Sequence, residues 1–211
     1  MLSGRASPRL LATYDAERRP IAWMRHDQTF ARPDYSAHAR RDAVAAPIID
    51  DSAIELGQLY RSTAVLGAGM ALPPALRPDE WKGQPGTRAP HAWVTVNGER
   101  RSTLDLFQHG WVLLAADELW RMAAGDAVKR RSIDLTCVCV GVDARSSDDD
   151  GLRAAFGIQA SGASLVRPDG YVAWRSIEVP ADPDGALEDA LRQVLPTDDR
   201  VKVASDACGL L

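Results

Sequence analysis

The sequence predicts an α/β fold in which a mixed β-sheet carries helices on its faces. Three observations lead there. Trp111 to Ala115 and Ile133 to Val140 are near-continuous apolar runs, the pattern of strands buried on both faces. A helical stretch from about Asp117 to Val128, carrying Leu119, Trp120 and Met122, joins them. A strand–turn–strand pattern and a further helical stretch then follow. Read from residue 85, the elements run strand, helix, strand, helix, strand, strand, helix, which is the order of a thioredoxin-like layer.

Ahead of that layer, Ser7 is a good N-cap and Pro8 suits a first helical position, where its missing N–H costs nothing. Leu10, Leu11 and Tyr14 follow helical spacing. Pro20 removes the bond to the carbonyl of Ala16, which predicts a kink or restart, with Ile21, Trp23 and Met24 resuming an apolar face. Residues 27–53 hold mixed charges, Pro33, an alanine-rich run and Asp50-Asp51, and read as a connection. Leu59 to Val65 reads as strand-like. Nine glycines and prolines from Gly67 to Pro90 then punctuate a long loop. The predicted organisation is a helix over 1–28, linker and short extended segments over 29–84, a thioredoxin-like domain over 85–204 and a tail over 205–211.

Inside the domain, Ala92 to Val96 is a strand, Asn97-Gly98 a hairpin turn signal and Ser102 to Phe107 a helical turn. A short helix around Leu152 to Phe156 follows the acidic run Asp148-Asp149-Asp150. The strands Ala163 to Val166 and Tyr171 to Trp174 flank Arg167-Pro168-Asp169-Gly170, with Pro second and Gly fourth in the turn. The last helix runs from about Gly185 to Val194.

Composition narrows the function classes. Of 211 residues, 45% are hydrophobic and 26% charged, which argues against wholesale disorder. The formal net charge of -4, with interspersed signs, gives no basic stripe for nucleic acid. No run approaches the ~20 apolar residues of a membrane-spanning helix. The first eight residues lack the apolar stretch of a secretory signal, and Cys137, Cys139 and Cys208 make a poor disulfide framework, so a cytoplasmic protein is expected.

Candidate chemistry is sparse. A thioredoxin-like dithiol belongs where a strand meets a helix N-terminus, which lowers a thiol pKa. That junction reads Ala116-Asp117-Glu118-Leu119, without cysteine. Cys137 and Cys139 sit two apart on one face of a strand and read as small core residues; Cys208 has no assignable partner. Gly67-Ala68-Gly69-Met70-Ala71-Leu72 superficially matches a dinucleotide fingerprint, but Leu72 replaces the small sixth residue and Pro73-Pro74 stop any helix that would hold a pyrophosphate. His26, His38, His91 and His109 lack metal-ligand spacing. Ser102, Asp105 and His91 read as loop and capping residues, and Asp148 to Asp150 as a loop at a helix start. Trp93, Trp111, Trp120 and Trp174 read as core. No catalytic, cofactor-binding or metal-binding residue is assigned.

Several stretches, in order, resemble one family. Tyr14-Asp15-Ala16-Glu17-Arg18-Arg19-Pro20-Ile21-Ala22 resembles the segment closing the flavin-binding domain of FAD-dependent aromatic-ring hydroxylases. Gly4 to Leu11 fits the helix entry before it. Ile54 to Gly57 and Tyr60 to Ser62 resemble the extended segment beyond. Pro85 to Trp93, Ser102 to Leu106 and Gly162 to Arg175 resemble the thioredoxin-like C-terminal domain of the phenol and dichlorophenol monooxygenase branch.

The resemblance implies an oxidoreductase using FAD, NAD(P)H and O2 to hydroxylate a phenol or related aromatic. The family's flavin motifs belong upstream of residue 1, so neither cofactor is expected to bind this chain alone. The expected role is structural, inactive alone, as a truncated product or half of a split enzyme. Its partner is expected to be a separate flavin-binding domain or a homo-oligomer. The alternative is a stand-alone thioredoxin-like dimerisation or regulatory module without redox activity. Arg88 and His91, in a loop made rigid by prolines, are the candidate interdomain or interface contacts. Residues 1–28 are expected to be loosely held in an isolated monomer.

Overall fold

The structure is a computed structural model describing residues 7–35 and 46–196. His38, Cys208 and the 205–211 tail lie outside the described residues. A helix α1 (Leu10–Ala31) comes first, followed by the short helices α2 (Asp51–Leu56) and α3 (Pro78–Trp81). The strands β1 (Trp93–Val96) and β2 (Glu99–Ser102) form a hairpin that runs into a 3-10 turn, Thr103–Leu106. Then come β3 (Trp111–Ala115), α4 (Leu119–Arg131), β4 (Leu135–Cys139), α5 (Asp149–Ala155), β5 (Ala163–Val166), β6 (Val172–Ser176) and α6 (Pro183–Val194).

The four-stranded sheet has the order β4-β3-β5-β6. β3 and β4 are parallel, while β5 runs antiparallel to both β3 and β6. The sheet is the expected thioredoxin-like layer. Alternate residues of β3 serve two cores. Leu113 and Ala115 face Trp120, Ala124, Leu187 and Leu191 of α4 and α6. Val112 and Leu114 face Phe107, Leu152 and Phe156. A strand buried on both faces needs an unbroken apolar run, and the sequence supplies one.

Local chemistry fixes the element boundaries. Asn97 and Gly98 adopt φ of 52° and 82°, the left-handed pair that a tight hairpin turn demands. Asp148 accepts from the Gly151 N–H at 2.7 Å and Asp182 from the Gly185 N–H at 2.9 Å, capping α5 and α6. The first carboxylate of the acidic run thus serves as a helix cap. The Ser102 hydroxyl accepts from the Leu104 N–H while Asp105 accepts from the Ser102 N–H, a capping box.

Several expectations change. Ile54 to Leu56, expected to be extended, ends the helix α2, and Trp23, expected on an apolar face, is exposed. The helix α1 runs through Pro20 without interruption to Ala31. Glu17 and Ile21, buried on either side of the proline, hold the turn that the lost hydrogen bond weakens. Leu59 to Val65 is irregular, with Gln58 and Ala75 forming only an isolated bridge. The backbone there pairs outward instead: the Leu66 N–H donates to Ala173 and the Gly86 N–H to Val172, covering the free edge of β6. Trp93 is half exposed rather than core, with the Arg100 guanidinium 4.0 Å above its ring.

Gly86 is required where this cover turns. Its φ is +94°, and a Cβ there would lie 2.4 Å from the Tyr60 carbonyl oxygen. The Tyr60 N–H in turn donates to the Gly86 carbonyl at 2.8 Å.

Candidate functional site

The cover over β6 leads directly into the loop carrying Arg88 and His91. The Ala89 N–H donates to Gly170 at 2.8 Å, so the loop is held against the β5–β6 turn. Arg88 and His91 line one cleft of about 380 Å³, together with Leu56, Pro90, Leu104 and Phe107. Phe107 is buried and forms part of its wall; Leu56 and Leu104 are exposed. His91 meets the edge of Trp93, with ring centroids 5.2 Å apart.

A second cleft of about 320 Å³ shares Arg88 and Asp169 with the first and is lined by Tyr14, Arg18, Tyr60 and Tyr171. Tyr60 and Tyr171 stack nearly parallel at 4.2 Å, with the Arg88 guanidinium 5.7 Å from the Tyr171 centroid. Burial pushes the Tyr171 phenol above its ordinary pKa, so it stays protonated. Arg18 donates to the Tyr60 hydroxyl at 2.7 Å.

Beside these clefts lies an ion pair that the sequence reading missed. Arg167 grips both oxygens of Glu17 at 2.6 and 3.0 Å and also pairs with Asp169 at 2.5 Å. The Ser62 hydroxyl donates to Glu17 at 2.6 Å. Glu17 is only 4% exposed. Its signal in the sequence was a charge on the helical stripe of Thr13 and Ile21, four residues from each. With Ile21 packed against Tyr60 and Tyr171, the pair fastens α1 to the thioredoxin-like layer.

The other candidates resolve as structure. At the β3–α4 junction, the position of a redox dithiol is taken by Asp117, which accepts from the Leu119 N–H at 2.8 Å. Cys137 and Cys139 lie with sulfurs 4.0 Å apart, and burial pushes both thiols up, away from the reactive thiolate. Ser102 and Asp105 cap each other's turn while His91 stands against Trp93, so they form no triad. No cluster of three or more metal-ligating side chains occurs among the described residues. Gly67 to Leu72 is irregular, and the next helix is the four-residue α3 beyond Pro73-Pro74. Those residues do not fit the pyrophosphate of a flavin or nicotinamide nucleotide, which needs a glycine turn opening a helix. No helix among the described residues is long and apolar enough to cross a membrane.

A thioredoxin-like layer with Asp117 at its β3–α4 junction, clamped to a long N-terminal helix, is an α/β domain of thioredoxin-like fold. Comparison with known proteins gives it a family. The chain belongs to the family described as Aromatic-ring hydroxylase, C-terminal, which matches residues 82–197. It is 41% identical over 208 residues to a 4-methyl-5-nitrocatechol 5-monooxygenase of Burkholderia sp, covering 92% of this chain and 37% of the relative. It is 31% identical over 240 residues to a 2,4-dichlorophenol 6-monooxygenase of Delftia acidovorans, covering 92% of this chain and 41% of that one. Among solved structures it is similar to an aklavinone-11 hydroxylase in complex with FAD and aklavinone, with a TM-score of 0.80 and 37% identity, covering 92% of this chain and 36% of that one. The chain therefore spans less than half the length of these relatives.

Proposed function

We propose that this chain is the C-terminal, thioredoxin-like part of an FAD-dependent, NAD(P)H-using monooxygenase that hydroxylates phenolic or other aromatic substrates. On this reading the chain alone binds neither cofactor and is not catalytic. Its role is to pack against a flavin-binding portion through the surface that carries Arg88 and His91.

The observation that carries the reading is the match of 92% of this chain to flavin hydroxylases of which it covers 36 to 41%. Two structural features support it. The β3–α4 junction holds a carboxylate cap where a dithiol enzyme needs cysteine, and the glycine segment at 67–72 opens no helix. The test is NADPH consumption by the purified chain in the presence of FAD and phenol. The expected result is no oxidation above the FAD-only blank; phenol-dependent oxidation would refute the reading.

A further inference from the structure

The two clefts adjoin at Arg88 and Asp169, which line both, and the chemistry of the groove they outline describes what fits there. One end is apolar, walled by Pro90, Leu104 and Phe107. The other presents the Arg88 and Arg18 guanidiniums beside the stacked tyrosines. Both arginines are exposed, and neither forms an ion pair with a carboxylate among the described residues; Arg18 donates to the Tyr60 hydroxyl and Arg88 lies over the Tyr171 ring. Glu17 and Asp169 are already engaged by Arg167. On a chain of net charge -4, the groove thus keeps unneutralised positive charge beside an apolar slot.

We infer that this groove docks an acidic–apolar polypeptide segment, with an apolar side chain against Phe107 and Leu104 and a neighbouring Asp or Glu on Arg88. This rests on the proposed role as a docking domain and names the chemistry of the surface it meets. Three observations select a polypeptide as occupant. The groove continues the interface that already seats α1, because Tyr171 contacts both Ile21 and Arg88. The matched relatives carry more than half of their length outside this chain, so a chain of the same arrangement has polypeptide to place on its surface. Arg pairs with a carboxylate bidentately, and at the edge of an apolar slot that pairing fixes register as well as charge.

An array of hexapeptides probed with the full chain, followed by fluorescence anisotropy on the selected peptides, tests this. The expected preference is Asp or Glu adjacent to Phe, Leu or Met. Arg88→Glu should weaken binding of the selected peptides at least tenfold, and Leu104→Ala several-fold, while Arg100→Glu on the β1–β2 hairpin leaves it unchanged. Thermal midpoints of the variants separate lost binding from lost folding. No acidic–apolar preference, or a preference that survives both Arg88→Glu and Leu104→Ala in folded protein, overturns the inference. Displacement of the peptides by 2-naphthoate at lower concentration than by unlabelled peptide also overturns it, because the groove would then favour a free aromatic carboxylate. None of these outcomes depends on FAD or NADPH, so the groove can fail while the proposed function stands.

Discussion

Replacing Arg167 by methionine should release α1 from the thioredoxin-like layer. The substitution keeps volume and removes the guanidinium that holds both oxygens of Glu17 at 2.6 and 3.0 Å. Glu17, 4% exposed, would keep only the Ser62 hydroxyl. Stranding one member of a buried pair costs about 3–5 kcal/mol. The Arg167 side chain is 12% exposed, so water reaches the pair from its side and the lower end applies, about 3 kcal/mol. That penalty falls on a contact between residues 150 apart in sequence, and it is relieved when the helix swings away. Amide exchange across Leu10–Ala31 should therefore accelerate about a hundredfold, since each 1.4 kcal/mol is a factor of ten. Exchange in α4 should be unchanged. The double variant Arg167→Met/Glu17→Met should recover most of the protection, because it buries no orphaned charge. Equal α1 exchange in wild type and Arg167→Met would refute the assignment of the clamp. Unprotected α1 amides in the wild type would bear out the expectation that residues 1–28 are loosely held.

Three further predictions follow from single sites. Gly86→Ala should lower stability by at least about 1–2 kcal/mol, the cost of a left-handed backbone for an L side chain, with the clash against Tyr60 in addition; urea denaturation reads it. On the α4–α6 face, hydrogen bonding to Arg131 holds Glu188 below the ordinary carboxylate range, with burial opposing. A lowered folded-state pKa means that the stabilisation is complete above the unfolded value and fades as pH falls through the folded one. The gap in thermal midpoint between wild type and Glu188→Gln should accordingly be constant from pH 7 down to about 5 and close in stronger acid; a gap that widens in acid contradicts the pairing. In a Cys208→Ser background, Cys137 and Cys139 should resist iodoacetamide at pH 8 in the native protein and react readily in guanidinium chloride, because burial disfavours their thiolates. Rapid native labelling would show that the pair is chemically available.

The parts legible in the sequence are those where side-chain pattern dictates structure. Trp111 to Ala115 reads as a strand because both of its faces are buried, and the Arg167 to Gly170 turn reads from a proline and a glycine. The resemblance placed the chain in its family through short segments such as the one around Glu17. Structure was harder to read where backbone or distance does the work. The cover over β6 is made by N–H and carbonyl groups of Leu66, Gly86 and Thr87, which leave no periodicity to detect. The Glu17–Arg167 pair has a helical-stripe signal at one end and none at the other. Trp93 reads as core because its strand alternates, yet it lies in a two-stranded hairpin outside the main sheet, where one face stays open to solvent.

The measurement that bears most directly on the central claim is a titration of the purified chain with FAD, following flavin fluorescence and the absorbance retained after gel filtration. The expected result is a colourless protein that leaves free FAD fluorescence unchanged. Stoichiometric FAD carried through gel filtration by this chain alone would contradict it.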